Sequence, residues 1–194
     1  MKKLFALMLL IASASLQGCM TYSHHSLQKV DQWPLASPGQ EKPSVYLKVY
    51  AEYQVNDHPR VSSANVAKLE QVIAKTLSES GRFSRVTTEQ EQSNLDLYLT
   101  VTLRNHETGS MGLAMLTGAT LFLIPGTFDN TLTMEMIVRD EDGNKRGVAQ
   151  RQESLTTWMH LLLIFAVPFQ DRSDNLLREL TQSTLQQAAD KQLL

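Results

Sequence analysis

The chain has 194 residues, of which 42% are hydrophobic and 20% are charged, and its net charge is −2 with histidine neutral. This length suits one ordinary domain and is too short for two full-sized ones. The near-neutral charge provides no basic field for a phosphate backbone, so we expect no nucleic acid partner. The single cysteine excludes an intrachain disulfide and any four-cysteine zinc or iron–sulfur site.

The first eighteen residues have the layout of a secretory signal peptide. Lys2 and Lys3 give a positively charged start, and an apolar run from Leu4 to Ala14 follows before several small residues. This run is shorter than the roughly 20 residues that span a bilayer. Residues 1–18 are therefore predicted to be an export signal that is removed, and not a permanent transmembrane helix.

The tetrad Leu16-Gln17-Gly18-Cys19 closes this signal. It resembles the lipobox of bacterial lipoproteins, which consists of a leucine, two small residues and the cysteine that receives the lipid; Gln17 is bulkier than the usual residue. The resemblance implies that Cys19 is acylated by palmitate-type chains, which attach the protein to the membrane. An aspartate after the cysteine commonly retains such proteins at the inner membrane. Met20 stands there, so the resemblance implies the outer membrane, with the domain facing the periplasm.

Residues 19–43 are predicted to be the lipidated cysteine followed by a flexible tether. Three prolines and a glycine interrupt this stretch, and it has neither helical nor strand periodicity. A flexible chain of two dozen residues reaches roughly 25–30 Å on average. The adjacent His24 and His25 are interpreted as solvated side chains, although two histidines can also bind a metal.

Residues 44–194 are predicted to form a single α+β domain. Alternating apolar and polar residues predict four strands and one shorter strand, over residues 45–53, 95–104, 132–139, 147–157 and 83–86. Apolar stripes at helical spacing predict one helix from Ser62 or Ser63 to Gly81, and a second that begins at Ser173 or Asp174. Asp140 to Asn144 is predicted to be a hairpin turn, after which residues 147–157 return as an edge-like strand.

This order of elements predicts a mostly antiparallel sheet with two helices on one face. The order, over residues 44–192, resembles the small βαββ envelope domains in the amino-terminal part of TolB and in the curli-export channel lipoprotein. The resemblance concerns element order and implies an envelope protein; no signature motif accompanies it.

Two apolar segments are inserted between these elements. Residues 111–128 contain no charged side chain in eighteen positions, and residues 158–169 contain none if His160 is neutral. Polar loop residues would be usual in both places. If the flanking strands are antiparallel neighbours, both segments leave the sheet at the same end. The side chains expected to form an apolar interface or pocket there are Leu113, Leu116, Leu121, Phe122, Ile124, Trp158, Leu162, Leu163 and Phe165.

Three interpretations of this apolar end stay open: a subsidiary core, a contact surface for a partner or a second copy, and insertion into lipid. Motifs for catalysis or cofactor binding are absent, and His58, His106 and His160 lie on separate elements. We expect no cofactor and no metal. The favoured hypothesis is a non-catalytic envelope lipoprotein that acts by binding or assembly, as an oligomeric accessory of an export or envelope-maintenance system. The alternatives are a carrier of a small ligand or lipid, with residues 111–128 and 158–169 lining its pocket, and a hydrolase with an unrecognised site.

Overall fold

The computed structural model describes residues 19–30, 32–35, 41–89, 95–160 and 173–194. The predicted signal peptide lies outside the described residues, and so does most of the second apolar segment, with Leu162, Leu163 and Phe165.

The described chain forms a seven-stranded, mixed and mostly antiparallel sheet in the order β1-β7-β6-β5-β2-β3, with β4 also paired to β2. The strands are β1 (Cys19–Ser23), β2 (Ser44–Val55), β3 (His58–Arg60), β4 (Arg85–Thr87), β5 (Leu97–Gly109), β6 (Gly126–Asp140) and β7 (Lys145–Met159). The helices within the described ranges are α1 (Val66–Glu79), α2 (Met111–Ala119) and α3 (Ser173–Asp190).

The predicted alternation places every second strand residue on the face that α1 and α3 cover. The two helices pack on each other, α1 against β2 and α3 against β6 and β7. The strand side chains buried in this core are Val45, Leu47, Val49, Leu97, Leu99, Val101, Leu103, Met134, Met136, Val138 and Ala149. Because one face of the sheet is apolar and the other is polar, α1 and α3 pack only on the apolar face. The α+β prediction, with two helices on one face, is confirmed.

The turn predicted between β6 and β7 is present. Asp140 Oδ1 accepts hydrogen bonds from the backbone N–H groups of Asp142 at 3.1 Å and Asn144 at 2.8 Å, and Gly143 has a φ of +83°. The cap of α1 differs from the prediction, since Asn65, and not Ser62 or Ser63, accepts from the Lys68 N–H at 3.1 Å. Asn65 is nearer to the first helical residue, and asparagine caps as well as serine does.

The structure differs from the predicted tether and from the predicted edge strand. Residues Cys19–Ser23 form β1, which pairs antiparallel with β7 from Leu155 to Met159, so β7 is an internal strand along this stretch. Leu27, Trp33 and Leu35 pack against the core cluster. These parts of residues 19–43 are therefore fixed to the domain, because β7 offers them a ladder of hydrogen bonds and the core offers apolar contacts.

Candidate functional site

Both apolar segments leave the sheet at the same end, as the topology predicted. Strand β5 ends at Gly109, and β6 starts at Gly126 after α2. Gly126 pairs with Met159, the last residue of β7. The second segment therefore departs beside the place where the first returns. We call residues 111–125 together with Trp158 the apolar pole.

Helix α2 forms because polar groups close both of its ends. The Ser110 hydroxyl accepts from the Leu113 N–H at 3.2 Å at the start. At the other end, the Thr120 hydroxyl donates to the carbonyl of Leu116 at 2.9 Å. Caps of this kind stabilise a helix by about 1 kcal/mol, which matters for a helix of nine residues.

A close contact holds α2 on the sheet. The side chain of Thr117 is fully buried and lies over Gly126. A Cβ atom on Gly126 would come within 2.8 Å of Thr117 Oγ1, so glycine is needed at that position. The contact between Thr117 and Gly126 therefore fixes the position of α2 relative to this end of the sheet.

The remaining apolar side chains of the pole face outward. Leu121 is 74% exposed, Met115 is 70% exposed and Leu123 is 66% exposed, and residues 111–125 contain no charged side chain. The other exposed members are Met111, Leu116, Ile124 and Trp158, while Leu113 and Phe122 are half-buried. In the described part, the pole is therefore an open apolar surface and not a closed subsidiary core.

The backbone beyond α2 is strained at two large residues. Leu121 and Phe122 have φ angles of +52° and +63°, in the left-handed region that usually takes glycine. Each such residue costs roughly 1–2 kcal/mol. The Phe122 N–H donates to the Thr117 carbonyl at 2.8 Å, which holds this turn. Strained residues of this sort are concentrated at functional sites, and this turn carries the exposed side chain of Leu121.

Polar groups form a rim around the pole. The Asn56 side chain donates to the Gly109 carbonyl and accepts from its N–H, both at 3.1 Å. His106 Nε2 lies 3.1 Å from Asp57 Oδ1. Near the start of β6, Asp129 Oδ1 accepts a hydrogen bond from the Thr156 hydroxyl at 2.7 Å. The rim therefore contains two aspartates, Asp57 after the end of β2 and Asp129 near the start of β6, so acidic groups lie at this end of the sheet.

A buried carboxylate fastens the amino-terminal segment to β7. Glu153 is fully buried and accepts from the Ser23 hydroxyl at 2.9 Å, the Ser26 N–H at 3.2 Å, the Ser26 hydroxyl at 3.1 Å and the Leu27 N–H at 2.8 Å. Burial raises the pKa of Glu153, but these hydrogen bonds outweigh it and hold the pKa below its usual value. This anchor was missed by the sequence reasoning.

The three domain histidines lie on or beside three different strands. His58 is exposed on β3, His106 on β5 contacts Asp57, and His160 directly follows β7. Among the described residues, no group of histidine, cysteine, aspartate or glutamate has the arrangement of a metal site. None of the described helices is long and apolar enough to cross a membrane.

No family model matches the chain, and no curated protein matches it. The solved structures that resemble it include two PelC dodecamers from Paraburkholderia phytofirmans, the L103M variant in space group C2 and a second structure in space group P6. Each is 10% identical to this chain with a TM-score of 0.37. The first match covers 87% of this chain and 95% of the PelC chain, and the second covers 86% and 94%.

Proposed function

We propose that this protein is a non-catalytic lipoprotein of the bacterial cell envelope that acts by binding or assembly through its apolar pole. The observation that carries the proposal is the exposure of Leu121, Met115 and Leu123 on a helix and turn that Thr117 and Gly126 hold in place. A free apolar surface of this kind on a folded domain is typical of a contact site. Export or envelope maintenance is the setting that we propose for it.

The proposed anchor is a lipid on Cys19, at the outer membrane and on its periplasmic side. The Leu16-Gln17-Gly18-Cys19 tetrad supports it. Without Lys2 and Lys3 the mature chain would carry a net charge of −4, two units below the −2 of the whole chain. Electrostatic attraction to anionic lipid is therefore weak, and the acyl chains provide the attachment.

The contact partners compatible with an apolar pole are a second copy of the chain, another envelope protein and a lipid surface. The carrier alternative requires residues 111–128 and 158–169 to close around a ligand. The exposed side chains of the described part favour contact with a surface over a closed pocket. Affinity capture of the detergent-extracted lipoprotein, with measurement of the mass of the complex, separates a homo-oligomer from a mixed assembly.

The proposal predicts that the pole is covered in the cell. Cys19 would be blocked by lipid, so a cysteine introduced by Leu123→Cys is the only free thiol. In detergent-free envelope fragments whose periplasmic face is accessible, we expect a membrane-impermeant maleimide to label it about tenfold more slowly than a cysteine introduced by Val61→Cys, because a covered thiol is shielded from reagent. Val61 is the matched control, since it is 94% exposed and lies outside the pole. Equal labelling rates in native envelopes would contradict the proposal, while equal rates after denaturation are expected.

A second prediction concerns the absence of catalysis. We expect His58→Ala, His106→Ala and His160→Ala each to leave the cellular phenotype of a deletion strain fully complemented. A catalytic acid or base typically contributes about 10²–10⁴-fold in rate, so its loss would abolish complementation. The measurement is complementation at matched protein levels. Failure of folded His58→Ala or His160→Ala to complement would contradict a non-catalytic function, whereas failure of His106→Ala alone would be assigned to the rim of the pole, where His106 contacts Asp57.

A further inference from the structure

We infer that the apolar pole lies in the surface of the bilayer to which Cys19 is attached, so that lipid is what covers it. This inference rests on the proposed acylation of Cys19 and names the partner of the proposed contact site. Its basis is the position of β1 in the sheet.

The strand register places the lipid attachment point at the pole. Cys19 pairs with Met159, and Met159 pairs with Gly126, at the end of the loop that follows α2. Neighbouring strands are about 4.8 Å apart, so the Cα atoms of Cys19 and Gly126 are separated by only roughly 10 Å. Acyl chains on Cys19 therefore enter the membrane beside the exposed apolar side chains.

No flexible linker separates the proposed lipid on Cys19 from the described domain. Strand β1 begins at Cys19 itself, and Glu153 holds Ser23, Ser26 and Leu27 directly after it. A free tether of residues 20–43 would have let the domain move roughly 25–30 Å from the bilayer. Attachment through β1 instead brings this end of the sheet against the membrane.

The chemistry of the pole suits the interface between headgroups and acyl chains. Residues 111–128 contain no charged side chain, and Trp158 is 44% exposed and directly precedes Met159, which pairs with Gly126 at the end of the loop after α2. Tryptophan is enriched at this depth of a membrane, since its ring is apolar and its N–H can hydrogen-bond. Helix α2 has nine residues and is about 13 Å long, which is too short to span a bilayer and long enough to lie in its surface. Asp57 and Asp129 of the rim would then lie at the headgroups.

Lipid is favoured over a protein partner because of this geometry. A second copy or another protein would have to reach a surface that the attached acyl chains already direct toward the bilayer. The net charge expected for the mature chain is negative, so apolar contact and acylation, and not charge, would hold the pole there.

Quenching of Trp158 by brominated lipid tests this inference. The chain has two tryptophans, Trp33 and Trp158, so Trp33→Phe leaves Trp158 as the only reporter. The acylated full-length mature protein is placed in phosphatidylethanolamine–phosphatidylglycerol vesicles with or without bromine on the acyl chains. We expect bromine to reduce Trp158 emission by about twofold or more, with a shift to shorter wavelength, as for an interfacial side chain. In the wild-type chain the fractional quenching should be smaller, because Trp33 adds emission that bromine does not quench.

Two variants provide the controls. Trp158→Phe leaves Trp33, which packs against the core, and bromine should change its emission by less than about a fifth because core residues do not enter lipid. The double change Leu121→Ser and Leu123→Ser should reduce the quenching of Trp158 by about half or more, since it removes apolar area from the pole. The change Val61→Ser outside the pole should not.

The outcomes distinguish this inference from the proposed function. Unquenched Trp158 together with slow maleimide labelling at Leu123→Cys would overturn the inference and show that a protein covers the pole, which leaves the proposed function in place. Unquenched Trp158 with fast labelling would overturn both. An unmodified Cys19 in the mass of the mature protein would also overturn both.

Discussion

Replacing Cys19 by serine is expected to abolish acylation and to make the precursor accumulate with residues 1–18 still attached. The physical reason is that the thiol is the group that carries the lipid, and a serine hydroxyl does not replace it in this role. Each buried methylene of an acyl chain contributes about 0.8 kcal/mol, so losing several chains removes the anchor completely. Mass spectrometry of the purified protein measures both the retained signal and the missing lipid.

The neighbouring position provides the control. Gln17 is the residue of the tetrad that is larger than usual, so Gln17→Ala brings the tetrad closer to the lipoprotein pattern and should leave acylation and cleavage intact. A mature wild-type protein with an unmodified cysteine would refute the lipoprotein assignment, whatever the variants do.

Replacing Glu153 by alanine is expected to lower the free energy of unfolding by about 2 kcal/mol, since the change leaves the N–H groups of Ser26 and Leu27 without their acceptor in a partly buried site. The same change should free the segment that follows β1 and expose it to protease. Urea denaturation and limited proteolysis measure the two effects. Glu141→Ala is the matched control, because Glu141 is exposed in the β6–β7 turn and its loss should alter neither. Equal stability of the two variants would mean that Glu153 does not anchor the segment.

The anchor should also depend on pH. The pKa of Glu153 in the folded protein lies below its usual value of 4.5. Its contribution to stability is therefore fully present above about pH 4.5 and is lost as the pH falls through the folded pKa. The pKa of Asp96 is lowered as well, by hydrogen bonds from Ser44, so other groups add to the acid dependence. The difference in stability between the wild type and Glu153→Gln isolates the Glu153 part, and this difference should shrink as the solution is acidified.

The sequence predicted the elements whose pattern is local. Val45 to Tyr53 and Leu95 to Leu103 alternate cleanly, and one face of each strand is buried as expected. The hairpin at Asp140 to Asn144 forms because its side chains hydrogen-bond the adjacent backbone, which needs no distant contact. The strand ends were predicted less well. Strand β5 extends to Gly109, and strand β6 begins at Gly126. Near these residues apolar and polar side chains no longer alternate, and the strands continue through backbone pairing with their neighbours.

The parts that were missed depend on residues far apart in the chain. A glutamate at position 153 within a polar strand looks like a solvent-facing residue, and only its contacts with Ser23, Ser26 and Leu27 make it a buried anchor. Strand β1 has only five residues, too few for the alternation of Met20 and Tyr22 with Thr21 and Ser23 to predict a strand, and it forms because β7 supplies a partner edge. The position of the apolar pole was predicted because it follows from strand direction, while its exposure could not be read from composition.

The pairing of β1 with β7 has a consequence for the time course of folding. Residues 19–23 pair with residues 155–159, so this contact joins the two described strands that are farthest apart along the chain. Contacts between residues so far apart along the chain form slowly, because the entropy cost of bringing them together must be overcome before the contact is made. During synthesis and export, β7 appears late, and until β1 docks it presents an open edge to any other chain. An unpaired edge of this kind can also accept β1 from a neighbouring molecule, which is the geometry of domain swapping. Between the export of β7 and its pairing with β1, a chaperone of the receiving compartment would therefore have its largest role, which is to prevent pairing between molecules.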